Sequence, residues 1–212
     1  VMARYAAPVR HMSFMSAAEL HISDIPCFVT RSGYTGEDGV EFSVPVDAAE
    51  DVARLLLDEP EVEAAGLGSR DSLRLEAGLC LYGSDITETT TPTEAGLLWS
   101  ISKRRREEGG FPGAAVIQQQ IADGAPRKRV GIKPDGKAPA RAHTEIADQD
   151  GNVIGEITSG GFSPTLGGPI AMGYVDAAHA AKGTNVNLMV RGKAMPAQVT
   201  SPIFVEHRYF RD

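Results

Sequence analysis

Between Arg127 and Ser201, six short runs rich in apolar and β-branched residues recur: RVGIK, RAHTEIAD, NVIGEIT, IAMGYV, NVNLMV and AQVTS. Turn signals lie among them at Asp150-Gly151, Gly160-Gly161, Gly167-Gly168 and Arg191-Gly192-Lys193. Each run has the length of a strand. Short strands joined by tight turns at this spacing form a small all-β barrel or sandwich. This pattern constrains the fold more than any other feature of the chain.

Upstream the pattern is mixed. Residues 25–31, IPCFVTR, predict a short buried strand, and SGYTGEDG after it is a turn-rich loop with three glycines. In VEFSVPV, Val40, Phe42 and Val44 alternate with Glu41 and Ser43. That period of two predicts a half-buried strand with Glu41 on the face opposite the apolar trio. Asp47 is placed to cap a helix with Glu50 as its reciprocal partner, Val52, Leu55 and Leu56 as the apolar stripe, and Pro60 as the stop. Further helices are expected from Ser69 to Ala77 and from Ala114 to Ala122, stopped by Gly78 and Gly124. The Thr91-Pro92-Thr93-Glu94 sequence is another helix start signal. The fold class is therefore α+β, mixed to about residue 125 and all-β beyond it.

Charge and composition exclude several classes. Among 212 residues, 28 acids outweigh 21 Lys and Arg for a net charge of −7, which argues against nucleic-acid or anionic-membrane partners. No apolar run approaches the roughly 18 residues that a membrane-spanning helix needs. Cys27 and Cys80 have no CxxC spacing and are expected as reduced core side chains. The histidines His11, His21, His143, His179 and His207 show no metal-binding spacing, so no metal site is expected. Residues 1–18 carry Arg4, Arg10 and no acid before Glu19, a composition shared with organelle transit peptides. They run unbroken into structured pattern behind Val1, so the chain is expected to be a piece of something longer.

Candidate chemistry is sparse by spacing alone. SGYTGEDG lacks the GKS/T of a Walker loop and does not match GxGxxG, so it is first a tight turn between strands. Glu41 is either a solvated residue or a carboxylate on a rigid strand, able to accept two hydrogen bonds from a planar heterocycle. Arg70 and Arg74 share a helix face, with Asp71 placed to pair with Arg74. Lys103-Arg104-Arg105-Arg106 is either a solvated loop or a landing site for an anionic partner. Trp99, the one tryptophan, either packs or stacks on an aromatic ligand.

The segments RSGYTGEDGVEFSVP, SRDSLRLEAGLCLYGSDI, TTPTEAGLLWSISKRRR, FPGAAVI and SGGFSPTLGGPIAMGYV resemble the aminomethyltransferases of the glycine cleavage system, the T proteins, over residues 13–212. The resemblance is to their C-terminal half. It implies residues 1–110 as the remainder of a folate-binding body, 111–126 as a linker helix, and 127–212 as a C-terminal antiparallel β-barrel. It also implies transfer of a one-carbon unit from the aminomethyl-lipoyl arm of H protein to tetrahydrofolate, with release of ammonia. Carried over by motif, Glu41 grips the pterin ring and Tyr34 lines its pocket. Arg70 and Trp99 contact folate, Tyr209 in EHRYF contacts substrate, and Arg129 in RKRVGI is a further family arginine. The family's catalytic aspartate belongs to the N-terminal half, so no catalytic residue is expected in this chain.

Two alternatives stay open at this level. One is a non-catalytic folate-binding module; the KGCYxGQE-like motif of iron–sulfur maturation scaffolds is not found. The other is the folate domain of a flavin-linked dimethylglycine or sarcosine dehydrogenase, which LEAGLCLYGSDI and SGGFSP disfavour. A bacterial cytoplasm is expected, or the mitochondrial matrix for a eukaryotic chain.

Overall fold

The computed structural model describes residues 1–211. The chain divides into two compact units, Val1–Leu73 together with the segment from Glu206, and Arg74–Val205.

In the first unit, strands β1 (Ala17–Ile22), β2 (Ile25–Thr30) and β3 (Glu41–Ser43) form an antiparallel sheet in the order β1-β2-β3. The register pairs Leu20 with Cys27, Val29 with Phe42 and Thr30 with Glu41. Alternation sends Ile22, Cys27, Val29 and Phe42 to one face, where they meet Ala6, Val9 and Met12 in a shared cluster. The remaining face carries Glu19, Phe28 and Glu41 in solvent, with Phe28 48% exposed. Val9 lies within a 3-10 turn at Ala7–His11 that follows the short helix α1 (Met2–Tyr5), with Ala6 and Met12 on either side of the turn. The arginine-bearing start of the chain is therefore part of this core.

Helix α2 (Ala49–Leu57) adds Val52, Leu55 and Leu56 to the cluster, the stripe expected from spacing. Its start differs from expectation. Asp47 lies in a 3-10 turn at Val46–Ala48, no side chain caps the helix, and Glu50 pairs forward with Arg54 at 2.6 Å. A carboxylate one turn before a better-placed guanidinium is held by that charge rather than by an amide. Helix α3 (Leu67–Glu76) follows.

In the second unit, the basic run, open between a solvated loop and a landing site for an anionic partner, forms helix α4 (Lys103–Glu108). Ser102 caps it by accepting from the Arg105 N–H, and Lys103 and Arg104 face Glu107 and Glu108 one turn on. Helix α5 (Ala114–Asp123) ends at Gly124, whose φ of +90° suits glycine. At Thr91–Glu94 the reciprocal cap forms, with Thr91 N to Glu94 at 3.0 Å and Glu94 N to Thr91 Oγ1 at 3.2 Å. It nucleates only a turn, because Gly96 at φ +71° leaves the helical region immediately.

Strands β4 (Arg127–Pro134), β5 (Glu145–Ala147), β6 (Val153–Ser163), β7 (Gly168–Asp176), β8 (Asn185–Val190) and β9 (Lys193–Thr200) close an antiparallel barrel in the order β4-β7-β6-β5-β8-β9. All six sequence runs become strands. Ile132, Ile146, Ile157, Val175 and Leu188 fill the interior with no exposed surface. Gly160-Gly161, expected as a turn, instead lies inside β6. A Cβ on Gly160 would stand 2.0 Å from the Ala140 carbonyl oxygen, so glycine here permits a backbone approach rather than a bend.

Candidate functional site

Glu41 opens β3, paired with Thr30 of the neighbouring strand, and the alternation that buries Phe42 leaves its carboxylate in solvent. Ser32 donates to one of its oxygens at 2.7 Å, and the Ser32 and Thr30 hydroxyls lie 2.8 Å apart. A carboxylate offers about four lone-pair directions, so the serine orients the fork without filling it. Held on a strand, this fork can meet two parallel N–H donors.

Tyr34 lies in the glycine-rich loop that joins β2 to β3, half-buried. The guanidinium carbon of Arg70, from the exposed side of α3, sits 4.6 Å from the centre of the Tyr34 ring. That cation–π contact joins two residues that the sequence places 36 positions apart, and it holds a flat cationic group over an aromatic ring.

Tyr209 stacks on Phe14, with ring centroids 3.8 Å apart and planes 9° from parallel. Burial pushes the Tyr209 hydroxyl above the ordinary phenol range, with Arg211 opposing, so the group is a neutral hydrogen-bonding phenol at physiological pH. Glu41, Tyr34, Arg70 and Tyr209 thus all belong to the first unit.

The other two predicted residues belong to the second unit. Trp99, in a 3-10 turn at Leu98–Ser100, is 74% exposed, so its indole is open to a flat ligand rather than packed. Arg129 on β4 donates Nε to the Ala95 carbonyl at 2.9 Å and Nη1 to the Gly78 carbonyl at 2.8 Å. Those donors are committed to fixing the loops around Gly78 and Ala95.

Two charged clusters escaped the sequence reading. Arg74 of α3 is 4% exposed, and its Nη1 reaches Asp85 at 2.7 Å and Ser159 at 3.0 Å. Asp85 also accepts from Thr158 at 2.5 Å and from the Leu81 N–H at 2.9 Å, so its buried charge is satisfied on every side. Glu76 is equally buried and takes Ser163 and Thr165 of the β6–β7 turn. The second cluster, around Arg31 and Asp38 in the first unit, is bidentate, with Nε to Oδ1 at 3.0 Å and Nη2 to Oδ2 at 2.7 Å. Alternation would have found Arg31: it directly follows β2, where a strand continues inward and a charge needs a partner.

The described residues contain no group of three or more His, Cys, Asp or Glu able to hold a metal ion. Cys27 and Cys80 form no disulfide, and burial pushes both thiols above the usual range. A groove of about 590 Å³ on the outer face of the sheet is bordered by Glu19, His21, Phe28 and Ser43 and includes none of the six predicted residues. No helix among the described residues is long and apolar enough to cross a membrane.

Comparison with known proteins meets this geometry. The family model described as the GCVT N-terminal domain matches residues 1–105, and that of the glycine cleavage T-protein C-terminal barrel domain matches 127–206. Mitochondrial aminomethyltransferase of Mesembryanthemum crystallinum is 55% identical over 194 residues, 91% of this chain and 47% of that protein. The mitochondrial aminomethyltransferase of Gallus gallus is 52% identical over 200 residues, 94% of this chain and 51% of that protein. The crystal structure of glycine cleavage system aminomethyltransferase T from Bartonella henselae superposes with a TM-score of 0.89 at 47% identity, covering 95% of this chain and 55% of that one. The chain spans about half the length of the curated relatives it matches. Their mitochondrial names give the expected bacterial cytoplasm no support. With its barrel and the sequence leading into it both matched, the chain belongs to the family of glycine cleavage T proteins.

Proposed function

We propose that this chain supplies folate-binding and substrate-contacting residues to an aminomethyltransferase of glycine cleavage. The reaction moves a one-carbon unit from the aminomethyl-lipoyl arm of H protein to tetrahydrofolate and releases ammonia. The observation that carries the reading is Glu41, an exposed carboxylate on a strand, oriented by Ser32 at 2.7 Å. A pterin presents a ring N–H and an exocyclic amino group side by side, matching the two oxygens of such a fork, and charge assistance makes the pair about twice as strong as neutral hydrogen bonds.

Tyr34 and Arg70 act beside it in the proposal. Tyr34 offers an aromatic wall, and Arg70, stacked on that ring, offers N–H donors to the carboxylates of the folate tail. Tyr209 contacts substrate as a neutral phenol. In the second unit, exposed Trp99 offers a stacking surface, and Arg129 enters with its Nη2 edge, since Nε and Nη1 are committed to carbonyls. These residues bind and orient. Proton handling is assigned, by resemblance, to an aspartate in the portion of the relatives that this chain does not align with, so turnover is proposed for the chain together with that portion. The segments 1–110, 111–126 and 127–212 are proposed as folate-binding body, linker helix and barrel. The matrix of a mitochondrion is the proposed compartment, on the names of the curated relatives.

Calorimetric titration with tetrahydrofolate tests the reading. Glu41→Gln keeps the shape and removes the charge, and is expected to weaken binding by roughly 10- to 100-fold, the equivalent of losing one charged hydrogen bond. Ser32→Ala is expected to cost only a few fold, about one neutral hydrogen bond. Saturable binding that ignores both substitutions would remove Glu41 from the site.

A further inference from the structure

We propose that Arg31 and Asp38 are positioning residues: together they latch the C-terminal segment 206–210 onto the glycine-rich loop and so fix Tyr209. The role assigned to Tyr209 rests on the folate-dependent reading above, whereas the latch rests on geometry alone.

Apart from one isolated bridge, at Arg208, the C-terminal segment has neither helix nor strand ladder. What fixes it must come from its neighbours. Phe210 donates its N–H to Asp38 Oδ1 at 3.3 Å and accepts at its carbonyl from the Phe14 N–H at 2.8 Å. Arg208 donates its N–H to the Gly36 carbonyl at 2.9 Å. Tyr209 lies between these two tethered residues, and its ring rests on Phe14. Its direction is therefore set by the main chain on either side, by the stacked Phe14 ring and by the His207 ring tilted beside it at 5.0 Å.

The tether at Phe210 leads back to Arg31 through Asp38, two residues beyond the Gly36 carbonyl that holds Arg208. Its guanidinium grips Asp38 with two parallel bonds and donates Nη1 to the Val9 and Met12 carbonyls at 3.0 and 2.6 Å. Its flat face covers the Phe210 ring, 4.2 Å from the centroid. One buried side chain therefore joins the stretch 9–12, the loop at Asp38 and the C-terminal segment. Only a planar cation with a fork of donors can do this at once: lysine would keep the charge but lose the bidentate grip and the stacked face. The loop so fixed also carries Tyr34, so residues from both ends of the unit's sequence are set by the same pair.

The two ionic contacts near Asp38 are not equivalent. Arg208 approaches Glu37 at 3.5 Å with both side chains well exposed, a pairing that solvent screens. Arg31 is 11% exposed at its side chain, and its donors have no water to fall back on. Loss of Arg31 therefore loosens the segment, while loss of the Arg208–Glu37 contact does not.

The test uses the whole chain, with hydrogen exchange read at two places and tetrahydrofolate affinity read separately. In Arg31→Lys and Asp38→Asn, amides 208–210 are expected to exchange about tenfold faster or more, while amides of the β1–β2 pair stay within roughly twofold, as local opening requires. Arg208→Ala is expected to leave both sets unchanged. Tetrahydrofolate affinity is expected to fall roughly tenfold in Arg31→Lys, and no further when Tyr209→Ala is added, because residues acting through one another are not additive. Unchanged exchange at 208–210 would overturn the latch, and so would loosening matched equally in β1–β2. Loosening with unchanged affinity, or a fully additive double variant, would overturn its action through Tyr209. Should the unsubstituted chain bind no tetrahydrofolate, the functional reading falls, and the exchange result alone decides the latch.

Discussion

The barrel and the three-stranded sheet solve the same problem in opposite ways. Every barrel strand has two neighbours, so no edge is left, and the interior is aliphatic and sealed. In the first unit, among the described residues, β1 and β3 each lack a second neighbour, one sheet face carries Phe28 into solvent, and much of the apolar cluster is only half-buried. Charge is used accordingly. In the second unit Arg74 and Asp85 are withdrawn from water and satisfied on all sides, while in the first unit Arg31 and Asp38 sit at the margin and hold loose segments down. Where apolar burial is complete, an ion pair fixes a unique arrangement inside; where it is incomplete, ion pairs do the joining.

The largest effect should come from breaking the buried pair. Asp85→Ala leaves the Arg74 guanidinium with an uncompensated charge in the interior, a loss of about 3–5 kcal/mol. Urea unfolding of the variant checks this, and a cost under about 1 kcal/mol, the range of exposed pairs, would show that the second unit does not depend on the pair as described. Replacing both partners with apolar residues should recover much of the loss, since it removes the stranded charge.

Core truncation sharpens the contrast. Ile157→Ala empties a position with no exposed surface and should cost about 2–5 kcal/mol. Phe42→Ala removes a larger side chain, but one that is only half-buried, so the loss should be well below the roughly 3–5 kcal/mol of a sealed phenylalanine. Equal costs measured by thermal unfolding would mean that the sheet cluster is as closed as the barrel, and the comparison would fail.

The same contrast governs what could be read from the sequence. The barrel was legible because each strand carries its own alternation and each hairpin its own turn, as at Arg191-Gly192, where both residues have positive φ. Gly160-Gly161 misled because a glycine pair signals a turn, whereas here it admits the Ala140 carbonyl to the side of a strand, a long-range fact. Strand β1 escaped because its apolar positions are small or spread, and it is defined only by pairing with β2. Among the candidate site residues, alternation singles out Glu41 independently of any resemblance. Tyr34 meeting Arg70, and Arg31 meeting Asp38 and Phe210, depend on loops and a C-terminal segment with no period of their own. Helix spacing places Arg70 and Arg74 on one face but does not show what that face meets, so the burial of Arg74 is not legible from it.

The smallest effect expected is an acid-side one, and it separates a carboxylate held by an arginine from one held by amides. Hydrogen bonds from Arg31 hold the Asp38 carboxyl below the usual carboxylate range, against the opposing effect of burial, with the Phe210 N–H adding to the depression. A carboxyl depressed in the folded state contributes stability that is present above its unfolded pKa of about 3.9 and lost as pH falls through the lower folded value. The stability advantage of the unsubstituted chain over Asp38→Asn should therefore be constant near neutral pH and shrink below about pH 4, toward zero once both states are protonated. Asp148 provides the control from the barrel. Its carboxyl is lowered by the Asn152 side chain and neighbouring main-chain amides rather than by an arginine, so Asp148→Asn should show the same acid trend at any salt concentration. The Asp38 effect involves a partly exposed charge pair and should diminish as salt rises toward about 1 M, where the screening length is near 3 Å. Unfolding midpoints measured from pH 6 downward through the carboxylate range, at low and high salt, distinguish the two. An Asp38 advantage that is independent of both pH and salt would mean the carboxylate holds the C-terminal segment by shape and hydrogen bonding alone, without the charge of Arg31.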